Sequence, residues 1–151
     1  MIIGLALHTL AAVVWVGGMF FAHMVLRPSA GPLEPAARLA LWSRVFPRFF
    51  VWVWLSVASL LVTGFGMVLF GMGGFAAVGG WVHAMTALGV VMAAIFATIY
   101  FAPWPRFRRA VSVADWPSAE ANLRTIRLLV TVNLTFGLLT SAIGASGPYL
   151  G

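Results

Sequence analysis

Residues 1–28 read MIIGLALHTLAAVVWVGGMFFAHMVLRP, and their reading decides the fold. From Ile2 to Leu26 every residue is apolar or small except His8, Thr9 and His23. A run of this length is enough for a helix to cross a bilayer, which takes ~20 residues for a hydrocarbon core of ~30 Å. The run is too long for a secretory leader. No basic segment precedes it, and Arg27-Pro28 follows it in place of a small-residue cleavage site. It is expected to be a retained helix.

Working outward, three further apolar runs complete a set at roughly 2–26, 49–72, 81–103 and 124–146. The composition agrees: 62% of the chain is hydrophobic and 8% charged, against about a quarter charged in soluble domains. The expected fold is all-α, an integral membrane four-helix bundle running up-down-up-down, with residues 1–151 as one transmembrane domain. Its first partner is the lipid bilayer. All nine basic residues are arginines. Arg27, Arg38, Arg44 and Arg48 fall between the first and second runs, and Arg106, Arg108, Arg109, Arg124 and Arg127 lie around the connection of the third to the fourth. Basic loops stay cytoplasmic. This predicts a multi-pass protein of a bacterial-type inner (plasma) membrane with both termini on the periplasmic, outer side. The net charge of +6 is therefore a topology signal and an attraction to anionic headgroups. Arginines that flank spans form no soluble basic face, so nucleic acid is excluded as a partner.

Both basic connections mix apolar and cationic residues. Residues 34–47 (EPAARLALWSRVFP) and 104–120 (WPRFRRAVSVADWPSAE) are expected to form short interfacial helices. Pro117-Ser118 with Glu120 marks the start of the fourth helix. The connection GMGGFAAVGG at 71–80 is a glycine-rich loop. The chain has no cysteine, which removes disulfides and thiolate metal sites.

The histidines carry the chemistry. A helix turns 100° per residue, so His8, Ala12, Trp15, Met19 and His23 form one stripe. His8 and His23 stand about 22 Å apart along the axis at 1.5 Å per residue. His83 opens the third run at the same end as His8. In an up-down bundle the first and third helices take diagonal corners, roughly 11–14 Å apart when neighbouring axes are 8–10 Å apart. Two imidazoles reaching inward would grip one iron, with Ala11, Ala12, Ala87 and Ala94 leaving room for a macrocycle. His8 and His83 are the expected metal ligands. Trp15, Met19, His23, Arg27, Arg44 and Arg48 complete the expected cofactor-binding set, with no catalytic residue assigned. The plainer reading puts His8 and His83 among headgroups and lets His23 snorkel toward Arg27. Asn133 is expected to hydrogen-bond another helix, and Gly89, Ala93 and Ala97 to form a close-packing face for a homo-oligomer.

The segments LHTLAAVVWVGGMFFAHMVLRP, VFPRFF, TGFGM, WVHAMTALGVVMAAIFATIYFAPW, ADWP and IRLLVTVNLTFGLL together resemble the CopD-like family of small membrane proteins, over nearly the whole chain. The opening leucine–histidine, followed by tryptophan and a small-residue pair, is more distantly similar to the HemJ-type haem-b membrane proteins, whose first-span histidine His8 would match. Those chains also use a lysine, and this sequence has none. Larger CopD proteins carry additional spans and are associated with copper uptake or tolerance. Two functions compete. One is a b-type cytochrome, a membrane oxidoreductase holding haem b through His8 and His83 and exchanging electrons with quinone or quinol. The alternative is copper binding, transport or tolerance, with His8, Met67, Met72, His83 and Met85 as soft donors that suit Cu(I). A third reading is a non-catalytic assembly subunit.

Overall fold

The computed structural model describes residues 1–149 of the 151. The last two residues of the expected domain lie outside the described residues. Five helices follow in order: α1 Ile2–Ser29, α2 Pro35–Gly71, α3 Gly80–Phe101, α4 Pro103–Ser112 and α5 Trp116–Ser146. Among the described residues there is no strand. α1 packs along α2 and α3 along α5, while α1 meets α3 mainly where Trp15 stands edge-on to Phe96. The expected all-α four-helix bundle, with first and third spans at opposite corners, is the fold observed.

The core is concentrated toward the arginine-bearing end. Along α2 the buried residues Leu39, Trp42, Phe46, Phe50, Val53 and Val57 recur every third or fourth position, which makes one continuous inward stripe. The Phe46 ring centre lies 5.1 Å from that of Trp42, 5.3 Å from Phe50, 5.5 Å from Trp104 and 5.8 Å from Phe107. Phe50 meets Phe96 edge-on at 5.5 Å. By contrast, the outward surface is apolar: Ile2, Val62, Phe70 and Phe101 are largely exposed. Water would penalise that surface, whereas lipid does not. Four long apolar helices fit a multi-pass membrane protein.

The two expected interfacial helices have different fates. Residues 34–47 are not a separate element but the opening turns of the 37-residue α2. Pro47 removes one backbone donor, yet the buried stripe runs through it without a phase break, and packing carries the helix on. Residues 103–112 do form their own helix, α4, with Pro103, Trp104, Phe107 and Ala110 buried and Arg106, Arg108 and Arg109 exposed. α4 lies against α5.

The α4–α5 junction is fixed by backbone bonds. The Asp115 N–H donates to the Ala110 carbonyl (2.9 Å) and the Ala114 N–H to that of Val111 (3.2 Å), with Ala114 at φ 56°. This is the left-handed helix stop that glycine usually fills. Asp115 then caps α5 by accepting from the Ser118 N–H at 3.1 Å. Hydrogen bonds from the Ser118 side chain and backbone hold the Asp115 carboxyl below its usual range. The expected start of the fourth helix at Pro117-Ser118 is thus met within a residue. At the other end of the molecule, Gly73 and Gly74 take φ of 81° and 89°, values that an L side chain resists.

Two stretches widen from α-helical to π-helical bonding, Ala22–Leu26 in α1 and Met67–Gly71 in α2. At the first, the Arg27 N–H reaches the Ala22 carbonyl, five residues back. Such turns are frequent at functional positions of helices.

Candidate functional site

His8 lies half-buried on α1, facing α2, with its Nδ1 2.9 Å from the Thr63 hydroxyl oxygen. Thr63 has one hydroxyl proton, and it is engaged: the hydroxyl donates to the Ser59 carbonyl at 2.6 Å. With that proton on Ser59, Thr63 acts as acceptor and the imidazole donates from Nδ1. In the neutral ring this leaves Nε2 as a free electron pair, the form in which histidine ligates a metal. Gly64 makes the approach possible, because a Cβ there would stand 3.1 Å from His8 Cε1.

One turn outward the same seam holds Met67. From the place a Cβ would take on Gly4, the Met67 Sδ lies 3.9 Å away. Gly4 and His8 share a face of α1, and Thr63 and Met67 share a face of α2. The imidazole and the thioether are thus successive rungs of the α1/α2 seam. The other sulfurs expected to join them do not sit there. Met85 packs against Gly144 in the α3/α5 seam, and Met72 is exposed.

His83 is on the outward side of α3, exposed, on the face it shares with Ala87 and Ala94. Its ring packs against Phe75 at 5.8 Å, and Phe75 against Phe65 at 6.0 Å. The rings of His8 and His83 thus have separate partners, Thr63 and Phe75. The small residues Ala87 and Ala94, expected to leave an interior space, are exposed instead. Trp15 and Met19 are core residues, 3% and 2% exposed, with Trp15 edge-on to Phe96. Among the described residues no three His, Cys, Asp or Glu side chains converge as a metal-binding group.

At the arginine end, His23 repeats the His8 arrangement. Its Nδ1 is 3.4 Å from the Thr131 hydroxyl, which itself donates to the Arg127 carbonyl at 2.8 Å. His23 sits inside the first wide turn, and with Arg27, Trp42, Val45, Phe49 and Arg127 it lines an apolar-walled pocket. Of the arginines expected beside His23, Arg27 is there. Arg44 and Arg48 are exposed and bond along their own helix, Arg48 Nη1 donating to the Arg44 carbonyl at 2.8 Å.

The geometry adds residues that the sequence reading passed over. Glu120 ties two helices together, with Arg38 Nη2 and Arg127 Nη1 each 3.5 Å from one of its oxygens. Arg127 also lies over the Trp42 ring, 5.8 Å from its centre. Thr63 and Thr131 were legible only as helix hydroxyls, since their histidines stand 55 and 108 residues away in sequence. The expectation for Asn133 is corrected: it is 1% exposed and its Oδ1 has no hydrogen-bond partner. A neighbouring helix presents no donor at that point. Likewise a Cβ on Gly89 would meet nothing within 4 Å, whereas Ala93, on the same face, packs against the core of the bundle.

Neither the curated proteins nor the solved structures give a match to the chain. The HemJ-type likeness gains no support from these comparisons. The family model described as copper resistance protein D matches residues 43–146, more than two thirds of the sequence. The match takes in Thr63, Met67, His83 and Arg127, and begins after His8 and His23. Four long apolar helices arranged as a bundle, together with a match of this extent, establish that the chain belongs to the copper resistance protein D family.

Proposed function

We propose that this membrane protein handles copper, taking Cu(I) as cargo at the α1/α2 seam through His8 Nε2 with the Met67 thioether beside it. The observation that carries the reading is the contact of His8 Nδ1 with the Thr63 hydroxyl, itself engaged on Ser59, which favours the Nδ1–H tautomer. Imidazole with thioether is a soft donor set suited to Cu(I), and the family description supplies the metal. Two donors with few charges nearby favour passage over permanent storage. His23, held by Thr131 in the same manner at the far end of α1, is a second station on this reading. The arginine end faces the cytoplasm by the positive-inside rule, which puts His8 on the outer side of the membrane. No observation favours haem b between His8 and His83, quinol exchange or an assembly role.

The test is Cu(I) titration of the purified full-length protein against a competing chelator, with an absorption spectrum taken first. The expected outcome is a colourless protein that binds Cu(I) and loses it in His8→Ala. Thr63→Val, which keeps the shape but removes the hydroxyl, should weaken binding by about 10–100-fold, the usual effect of losing a partner that orients a metal ligand. A Soret band in the purified protein, or Cu(I) affinity unchanged in His8→Ala, overturns the proposal.

A further inference from the structure

A second cleft opens at the arginine end between α1 and α5, lined by Arg27, Arg124, Arg127, Leu128 and Thr131. Three guanidiniums from two helices share it, and no carboxylate lines it. The charges that act on Arg127 are Glu120, Arg27 and Arg38. Glu120 divides itself between Arg38 and Arg127, at 3.5 Å from each. The chain has only three acidic residues: besides Glu120, Asp115 is occupied as the cap of α5, and Glu34 makes no ion pair among the described residues. Four arginines are therefore balanced locally by one carboxylate. Arg127 also carries a buried Nε–H with no acceptor. A donor in that state costs free energy until an acceptor arrives.

Depth narrows the ligand. Arg27 follows the apolar run of α1, and Arg124 and Arg127 stand in the opening turn of the apolar run of α5. Arg27, Arg124 and Leu128 are exposed on the outward surface. The cleft thus lies where the apolar girdle stops, the level of lipid headgroups. Guanidiniums bind phosphate oxygens in pairs of parallel hydrogen bonds, and basic pockets between membrane helices take anionic headgroups.

We propose that this cleft is a binding site for a phosphate-bearing anion, held by Arg27, Arg124 and Arg127. Two sources offer that chemistry, an anionic phospholipid and free phosphate. The proposal stands independently of copper binding, since it uses neither His8 nor Met67.

Dissociation constants are measured on the full-length protein in neutral detergent, at fixed ionic strength, for short-chain phosphatidylglycerol, short-chain phosphatidylcholine and inorganic phosphate. Phosphatidylglycerol is expected to bind at least about tenfold tighter than phosphatidylcholine, as charge-assisted contacts imply. Arg27→Gln and Arg124→Gln, both exposed positions that the fold tolerates, should each weaken it by about tenfold. Arg109→Gln removes the same charge from the exposed face of α4, outside the cleft, and should leave affinity unchanged. Displacement of phosphatidylglycerol by inorganic phosphate identifies the free anion as a ligand, and failure to displace identifies the lipid. Equal binding of the two lipids, or an Arg109→Gln loss as large as that of Arg27→Gln, shows mere surface charge and overturns the proposal.

Discussion

A threonine hydroxyl has one proton, and that scarcity organises both histidine stations. Thr63 and Thr131 each bond back to the carbonyl four residues earlier, as hydroxyls in apolar helices commonly do. Each is thereby turned into a pure acceptor for an imidazole on α1. The histidines themselves were conspicuous in the sequence because nothing else in the first run is titratable. Their partners were not, because pairing across 55 and 108 positions is decided by helix packing and leaves no local pattern. Asn133 teaches the opposite lesson. Its polarity suggested an interhelical bond, but its Oδ1 is buried without one. A buried acceptor left unpaired costs about 1–3 kcal/mol. Asn133→Leu is therefore expected to raise the thermal unfolding midpoint in detergent. A lowered midpoint would mean that the amide has a partner after all.

At the scale of elements, apolar runs located all four spans, since length and hydropathy dictate them directly. They misjudged where α2 begins. The residues before Pro47 carry arginines and read as a separate interfacial piece, while the buried stripe from Leu39 to Val57 shows a single packed helix. The α4–α5 junction offers a sharp test of local backbone chemistry. Ala114 occupies a left-handed position with a Cβ that disfavours it. Ala114→Gly should stabilise the protein by about 0.5–1 kcal/mol, within the range for relieving such a position, read as a higher unfolding midpoint. The neighbouring cap should respond to acid. Because Ser118 holds the Asp115 carboxyl low, its contribution is complete above the ordinary carboxylate range and fades as pH falls through the lowered value. Asp115→Asn should flatten that acid-side decline.

Across the whole molecule, charge and grease are segregated. The described part of the neutral end carries His8, His83 and sulfur, whereas the other end carries the arginines, with Glu120 bridging α2 and α5 there. Composition made this polarity plain from the start, but not which arginines turn inward, because Arg127 lies within the last apolar run and looks like any flanking charge. The absence of native cysteine makes orientation directly measurable. With an impermeant thiol reagent added outside intact cells, Gly80→Cys should react and Ser29→Cys should not; the reverse pattern would invert the molecule. The two wide turns stand at opposite ends of the α1/α2 pair, one holding His23 and the other starting at Met67. Each accommodates a surplus residue, and a surplus residue can be passed to the next position along the helix without breaking the bonds on either side. Passing it across His23 rotates that ring by about 100°, away from its hydroxyl partner. A one-residue shift of either wide turn would therefore turn the side chain beside it while leaving the helix on both sides intact.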